Sequence, residues 1–170
     1  VPMYISTVDS GNLAAHLLTL RPGLLALPDQ KILSSGLFDG LTDTVMILMD
    51  AVAAMSPEGG AHSQIAQLRK DIDPVYNSPP TTLTSVRSCL NHLAESAAKV
   101  IDSLDAMDTD PEKEAKWWAQ AFAGQCRAAL DDLAFLVSST VSNTDEIPTL
   151  RELADLGNQR ARDRIASIEH

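Results

Sequence analysis

The pattern of apolar and polar residues predicts helices along most of the chain. Its clearest example is a row of apolar residues that advance by four and three positions: Val86, Leu90, Leu93, Ala97, Val100, Leu104 and Met107. Residues at this spacing lie on one face of a helix, and the spacing is typical of helices that pack along their length. No segment shows the sustained alternation of a half-buried strand. We therefore predict a helix from about Leu83 to Met107.

Similar apolar rows predict five more helices, over about 10–21, 36–55, 61–72, 110–141 and from 149 onward. Proline removes a helical hydrogen-bond donor and disfavours helix at the residue before it. We therefore expect Pro22-Gly23 to end the first helix. Asp73-Pro74 is expected to end the third for the same reason.

Cap residues mark where several of these helices begin. Ser34 or Ser35 is expected to cap the second helix with its side-chain oxygen. Asp110 is expected at the N-cap of the fifth, with Pro111 at its first helical position. Thr149-Leu150-Arg151-Glu152 has the pattern of a capping box and opens the sixth.

These elements predict an all-α fold, an antiparallel bundle of about six helices that forms a single module over residues 1–170. Helices four, five and six are expected to pack against one another, because short connections make consecutive helices neighbours. Residues 1–8 are expected to form an extended arm, since Tyr4–Val8 is strand-like but has no partner strand.

Composition and charge narrow the class of protein. Hydrophobic residues make up 45% of the 170 residues but aromatic residues only 4%, so the core must be built from small aliphatic side chains. Trp118 continues the apolar row of the fifth helix and is expected in the core, which leaves Trp117 nearer the surface.

The net charge of −10 argues against binding to nucleic acid or to an anionic membrane. No apolar run reaches the roughly 20 residues that span a bilayer.

The residue types that carry common chemistries are sparse. Cys89 and Cys126 are expected to be buried free thiols, and no cysteine–histidine spacing predicts zinc. No motif for a nucleotide or for a nucleophilic hydrolase is present. Asp102, Asp105 and Asp108 are expected on a solvated face. We therefore expect no metal, no cofactor and no catalytic residue in this segment.

The N-terminal segment has the densest set of polar side chains, and the candidate contacts in it are Thr7, Asp9, Ser10, Asn12 and His16. Such groups hydrogen-bond sugar hydroxyls, and Asp9 has the chemistry of a general acid or base. The alternative is local, in which Thr7, Asp9 or Ser10 caps the first helix and Asn12 lies in its first turn. Trp117 is a sixth candidate, which either stacks on a sugar ring or a neighbouring domain or is partly buried along the helix edge.

The segment Ile5–Leu18, ISTVDSGNLAAHLL, resembles an internal part of the cyclic β-1,2-glucan synthases. The resemblance continues at 37–41, 118–136 and 148–154, where the helical sequence is less distinctive. It implies a parent that is a large bacterial inner-membrane glucosyltransferase using UDP-glucose. It also implies that this region is cytoplasmic and precedes a glycoamylase-like domain. The sugar-nucleotide motifs of the glucosyltransferase are not in this sequence, so the resemblance implies a parent and no activity for this segment.

Three hypotheses about function follow. The first is a non-catalytic, soluble linker or scaffold module, a fragment of a larger multidomain protein, whose partners are the neighbouring catalytic domains. The second is a part of a glycan-binding or transglycosylation site, formed by Ser6–Asn12 and contacting β-1,2-glucan. The third is a helical interaction module whose exposed apolar residues bind a partner helix.

Overall fold

The structure, a computed structural model, describes residues 7–34, 36–53, 55, 60–104, 109–138 and 145–168, with side chains up to Phe135 and Asp163 in the last two helices. The described residues form six helices, which confirms the all-α helical bundle predicted from the sequence. They are α1 (Thr7–Ala26), α2 (Gly36–Ala53), α3 (Gly60–Asn77), α4 (Leu83–Leu104), α5 (Asp110–Ser138) and α6 (Leu150–Ile168). A 3-10 turn, Leu27–Asp29, follows α1. None of these helices is long and apolar enough to cross a membrane.

The chain divides into two compact units. One comprises residues 1–32 and 148–170, with α1, the 3-10 turn and α6. The other is Leu33–Ile147, with α2 to α5. All of the buried side chains among the described residues belong to the second unit.

The core of the second unit is built around α4 and α5, which share the most extensive contact. The predicted row of α4 is buried from Val86 to Leu104, and Met107 lies outside the described residues. On α5 the predicted positions Phe122, Cys126, Ala129 and Leu133 are buried as well, whereas Trp118 is only partly buried. Leu136 and Thr140, the last residues of that predicted row, fall outside the described side chains.

Helices α2 and α3 complete this core. Helix α2 packs on both α3 and α5, and α3 packs on α4. Phe38, Leu41 and Leu48 of α2 are at most 2% exposed. The hydroxyl of Thr44, also buried, lies 3.1 Å from the side-chain oxygen of Gln125 and joins α2 to α5. Of the three helices expected to pack against one another, α4 and α5 lie in this unit, and α6 belongs to the other unit.

Local hydrogen bonds explain where the helices begin. In the capping box of α6, Thr149 N–H donates to the Glu152 carboxylate at 2.7 Å and Glu152 N–H donates to the Thr149 hydroxyl at 3.2 Å, as predicted. For α5 the predicted N-cap, Asp110, is one residue too far along the chain. Asp110 lies inside the helix, and Thr109 N–H donates to the Glu112 carboxylate at 2.8 Å. Ser35, one of the two caps considered for α2, lies outside the described residues.

The N-terminus of α4 is closed by residues far along the chain. Asp145 accepts hydrogen bonds from Thr84 N–H at 2.9 Å and from the Thr84 hydroxyl at 2.7 Å. These bonds from Thr84 keep the pKa of Asp145 below its usual value. Leu83 N–H donates to the Asp145 carbonyl at 2.8 Å, and Ile147, two residues on, is buried. The segment before α6 is thus part of the second unit up to Ile147.

Two prolines that were expected to stop helices lie inside them. Helix α3 continues through Pro74 to Asn77, and α1 continues through Pro22 to Ala26. Each proline deprives one carbonyl, four residues earlier, of its donor. Both prolines are exposed, so water can hydrate that carbonyl. In α3 the side-chain amide of Asn77 also bonds the Asp73 carbonyl at 2.7 Å, which supports the last turn.

In the first unit, residues 29–32 bond to residues 148–151, which include the start of α6. Ile32 N–H donates to the Pro148 carbonyl at 2.9 Å, and Leu150 N–H donates to the Gln30 carbonyl at 3.3 Å. The Arg151 guanidinium bonds the Asp29 carboxylate at 2.7 Å. This bond lowers the pKa of Asp29 and raises the pKa of Arg151. Of the predicted arm, residues 1–6 lie outside the described chain, and Thr7 and Val8 are helical, not extended.

Candidate functional site

Helix α1 is the element with the most unusual surface in the described chain. All twenty of its residues are exposed, including six large apolar side chains between Leu13 and Leu25. Leucines favour helix, and the apolar side chains that would normally drive such a helix into a core face outward here. A helix with this composition is typically covered by another surface.

Apart from Val8, the large apolar side chains of α1 and of the 3-10 turn form two rows. The first row, called here the leucine seam, comprises Leu13, Leu17, Leu20, Leu24 and Leu27, of which the last belongs to the 3-10 turn. The second comprises Leu18 and Leu25, 73% and 60% exposed, which lie about 120–140° around the helix from Leu13. The seam advances by four, three, four and three residues, the same spacing as the buried row of α4. The two rows differ in burial: the row of α4 lies inside a core, whereas the leucine seam is exposed.

A polar stripe runs beside the leucine seam. Asp9, Asn12 and His16 lie within about 60° of one another around α1. Ser10 and Thr7 lie about 100° and 160° away from Asp9, so the five predicted residues of this segment do not share one face. Since α1 begins at Thr7, Asp9 and Ser10 are first-turn residues, not caps, and Asn12 lies in the second turn. A carboxylate at Asp9 is favourable at this end of a helix dipole.

Trp117, the sixth candidate, lies on α5 in the other unit and is 59% exposed, as expected for a surface position. Its ring packs edge-on against Trp118, with the centroids 4.6 Å apart. One face of an exposed indole held in this way can stack on a flat apolar group.

Of the acidic positions, Asp102 is exposed as predicted, whereas Asp105 and Asp108 lie outside the described residues.

A polar cluster between α3 and α4 went unpredicted. Asp71 accepts a 2.6 Å hydrogen bond from the Ser96 hydroxyl, and the His92 imidazole lies 3.4 Å from the same oxygen. Gln67 donates to the other Asp71 oxygen at 2.8 Å. Burial acts to raise the pKa of Asp71, but the hydrogen bonds from Ser96 and Gln67 and the neighbouring His92 outweigh it and lower the pKa.

This cluster has the residue types of a catalytic triad but not its arrangement. In a triad the histidine lies between the nucleophile and the carboxylate, so that it can take the hydroxyl proton. Here Asp71 lies between Ser96 and His92, and Ser96 is only 5% exposed. The cluster therefore joins α3 to α4. No sequence signal connects Asp71 with Ser96, since their contact depends on how two helices pack.

A small apolar cavity lies between α2 and α3, with a volume of ≈ 170 Å³ and His62 in its wall. The imidazole Nδ1 of His62 is buried and has no hydrogen-bond partner among the described side chains. Sites for cofactors or drug-sized ligands usually have volumes of about 300–1,000 Å³. This cavity is too small for such a ligand. No group of three or more potential metal ligands occurs among the described residues.

Comparison with known protein families, with curated proteins and with solved structures finds no match for this chain.

Proposed function

We propose that this chain is a non-catalytic helical scaffold module that docks through α1. The observation that carries the proposal is the surface of α1, twenty residues long with its leucine seam exposed. Fully burying an exposed leucine side chain is worth about 1.5–3 kcal/mol, and the five seam leucines, which are 44–61% exposed, can still gain part of this on association. None of the twenty residues of α1 is buried.

The proposal includes the parent that the resemblance implies, a cyclic β-1,2-glucan synthase-like glucosyltransferase of the bacterial inner membrane with this region on its cytoplasmic side. The assignment to this parent is supported by the distinctive part of the resemblance, the segment Ile5–Leu18. The module would take part in glucan biosynthesis by orienting the neighbouring catalytic domains. Its acidic surface and net charge of −10 suit contact with those domains in water better than contact with an anionic lipid surface.

The first experiment asks whether the isolated chain has activity. Purified chain is incubated with UDP-glucose, and release of UDP is followed together with binding of β-1,2-glucan by calorimetry. We expect neither turnover nor binding. Turnover that follows the purified chain through two unrelated chromatography steps would contradict the proposal.

The second experiment asks whether the parent needs the leucine seam. In the full-length parent, Leu17→Asp is compared with the matched control Leu25→Asp, which places the same charge on the same helix outside the seam. We expect the seam variant to lower cyclic glucan synthesis and the control to leave it near the parent level. Equal activity of both variants would contradict a docking role for the seam.

A second candidate function is contact with glycan through the polar stripe. The observation that favours it is the exposed alignment of Asp9, Asn12 and His16 on one side of α1. In the full-length parent, Asp9→Ala should then change the chain length or the cyclisation of the glucan while the helix content stays the same. Ser10→Ala, next in sequence but off the stripe, is the control. Product of normal length from Asp9→Ala would leave the stripe without a glycan role.

A further inference from the structure

The cavity between α2 and α3 lies where small side chains leave space between the two helices. Its described lining residues are Met49, Val52 and Ala53 of α2 and His62, Ile65 and Ala66 of α3. Val52 and Ile65 are buried, whereas Ala53 and Ala66 are exposed. The inner part of the cavity therefore lies against the core, and its mouth is on the side of the two alanines.

His62 brings an unsatisfied polar atom to this cavity. Its imidazole is part of the wall, and its Nδ1 is buried without a hydrogen-bond partner among the described residues. Buried polar atoms are nearly always hydrogen-bonded, because an unpaired one has lost its bonds to water without a replacement. A molecule in the cavity that carries a hydrogen-bonding group can satisfy this atom. The cavity and the unpaired atom are separate observations that meet at one residue.

The volume of the cavity, ≈ 170 Å³, limits the size of an occupant. An apolar protein cavity of about 150 Å³ stays free of water and binds benzene. A buried water needs about two to four polar partners, whereas the described lining of this cavity offers the side chain of one histidine. The space therefore suits a single six-membered ring with a small substituent better than it suits water or a cofactor.

Two features favour an aromatic ring over an alkyl chain in this space. The thioether of Met49 is part of the wall, and methionine sulfur makes favourable contacts with aromatic rings. A ring is also rigid, so it loses little conformational freedom when it binds.

The chemistry of the imidazole selects the polar group of the occupant. A neutral imidazole has one nitrogen that donates and one that accepts, and a protonated imidazole has two donors. A hydroxyl both donates and accepts, so it pairs with Nδ1 in either form, whereas an indole N–H only donates. A carboxylate would bring a charge into an apolar cavity of a chain whose net charge is already −10. These properties describe an uncharged aromatic ring with one hydroxyl.

We propose that this cavity is a binding site for a small uncharged phenol, whose ring fills the apolar space and whose hydroxyl bonds Nδ1 of His62. The site goes beyond the proposed scaffold function and uses no residue of α1, since α2 and α3 belong to the second unit. A phenol bound there contacts the last turns of α2 and the first turns of α3, and it stabilises the folded chain by mass action.

The test titrates the whole 170-residue chain with p-cresol, a phenol with one methyl group, and follows the methyl signals of Met49, Val52 and Ile65 by NMR. We expect saturable shifts at these three residues, with a Kd of about 1 mM or tighter for a ligand of this size. Toluene, the same molecule without its hydroxyl, is the matched ligand. Shifts by p-cresol that do not saturate, or that spread evenly over the chain, would overturn the site.

Three variants separate the hydrogen bond from the apolar space. His62→Phe keeps a ring in the wall and removes both nitrogens, so it should weaken p-cresol binding by about tenfold and change toluene binding by less than about twofold. Ala66→Leu fills the cavity and should abolish binding of both molecules. Ala128→Leu adds the same side chain at an exposed position of α5 and should leave binding unchanged. Circular dichroism checks that all three keep their helix content.

Each variant can contradict the proposal separately. If His62→Phe binds p-cresol as tightly as the wild type does, the hydroxyl is not held by Nδ1 and the phenol assignment is overturned. If Ala66→Leu retains binding, p-cresol binds outside the cavity and the site is overturned. The second result is decisive even where His62→Phe fails to fold, because Ala66→Leu leaves the imidazole in place. Neither result bears on α1, whose docking role is tested by the seam variants.

Discussion

The two cysteines show how the environment of a single residue sets its chemistry. Burial raises the pKa of Cys126 to about 12, with a further rise from the nearby Cys89 thiol and a small opposing effect of Arg127. Burial also raises the pKa of Cys89, which is only partly covered. At pH 8 both are therefore protonated, and the thiolate that reacts with disulfide reagents is scarce.

This environment gives a prediction about thiol reactivity. With Ellman's reagent at pH 8, we expect the native chain to release colour slowly and the urea-unfolded chain to release two equivalents at once. Cys89→Ser and Cys126→Ser assign the phases, and the slower native thiol should be Cys126. Native labelling of Cys126 at the rate of an unfolded thiol would contradict its burial.

Asp71 predicts an acid-sensitive contribution to stability. Its pKa is lowered in the folded chain, so the folded state binds this proton less readily than the unfolded state. The stabilisation is present above the unfolded pKa of about 3.9 and is lost as the pH falls through the lower folded value. In urea titrations from pH 6 to pH 2, Asp71→Asn should be less stable than wild type at pH 6, and this difference should shrink in acid. Asp102→Asn, exposed on α4, is the control. A difference independent of pH would contradict the role of the charge.

At the scale of the helix, burial distinguishes a leucine of α4 from a leucine of α1. Leu90 of α4 is fully buried, whereas Leu25 of α1 is 60% exposed and lies outside the seam. Leu90→Ala should lower the free energy of unfolding by about 2–5 kcal/mol through lost contacts and a residual cavity. Leu25→Ala should change it by no more than about 0.5 kcal/mol. Chemical denaturation followed by circular dichroism measures both, and similar losses would contradict this assignment of core and surface.

The helices themselves were largely predictable, because the signals that define them are local. The row of α4 and the Thr149–Glu152 capping box were found in the sequence and are present as predicted. The C-terminal ends of α1 and α3 were not predicted. The expectation that proline ends a helix considers only the hydrogen bond that is lost. It does not consider whether water can hydrate the carbonyl that loses its donor. The Asp71 cluster was missed for a different reason, because its members come from two helices whose register is fixed only by packing.

The candidate site was predictable only in part. The sequence marked 7–16 as a polar segment, and the structure puts these residues on one helix. It did not predict the leucine seam as a surface, because a 4-3 row is equally typical of a core helix. Whether such a row is covered depends on contacts far away in the sequence, and none of the residues of α1 is buried.

At the scale of the whole molecule, the uneven distribution of buried side chains makes the two units separable in energy. The buried hydrophobic residues run from Phe38 to Ile147 and all lie in the second unit, while α1 buries none of its side chains. Since burial of apolar surface is the main driving force of folding, the second unit should contain nearly all of the stability. We therefore expect the fragment 33–147 to fold by itself and to unfold in urea as one cooperative transition.

The fragment needs its C-terminal residues for this. Asp145 bonds the first turn of α4, and Ile147 is 6% exposed, so ending the chain at 138 would open that turn and uncover core. We expect the fragment 33–147 to match the urea midpoint of the full chain closely, and the fragment 33–138 to unfold at clearly lower urea. Equal midpoints for the two fragments would show that residues 139–147 add nothing to the core. A fragment 33–147 without a cooperative transition would show instead that the first unit is required for folding, and the stability would then have to be shared between both units.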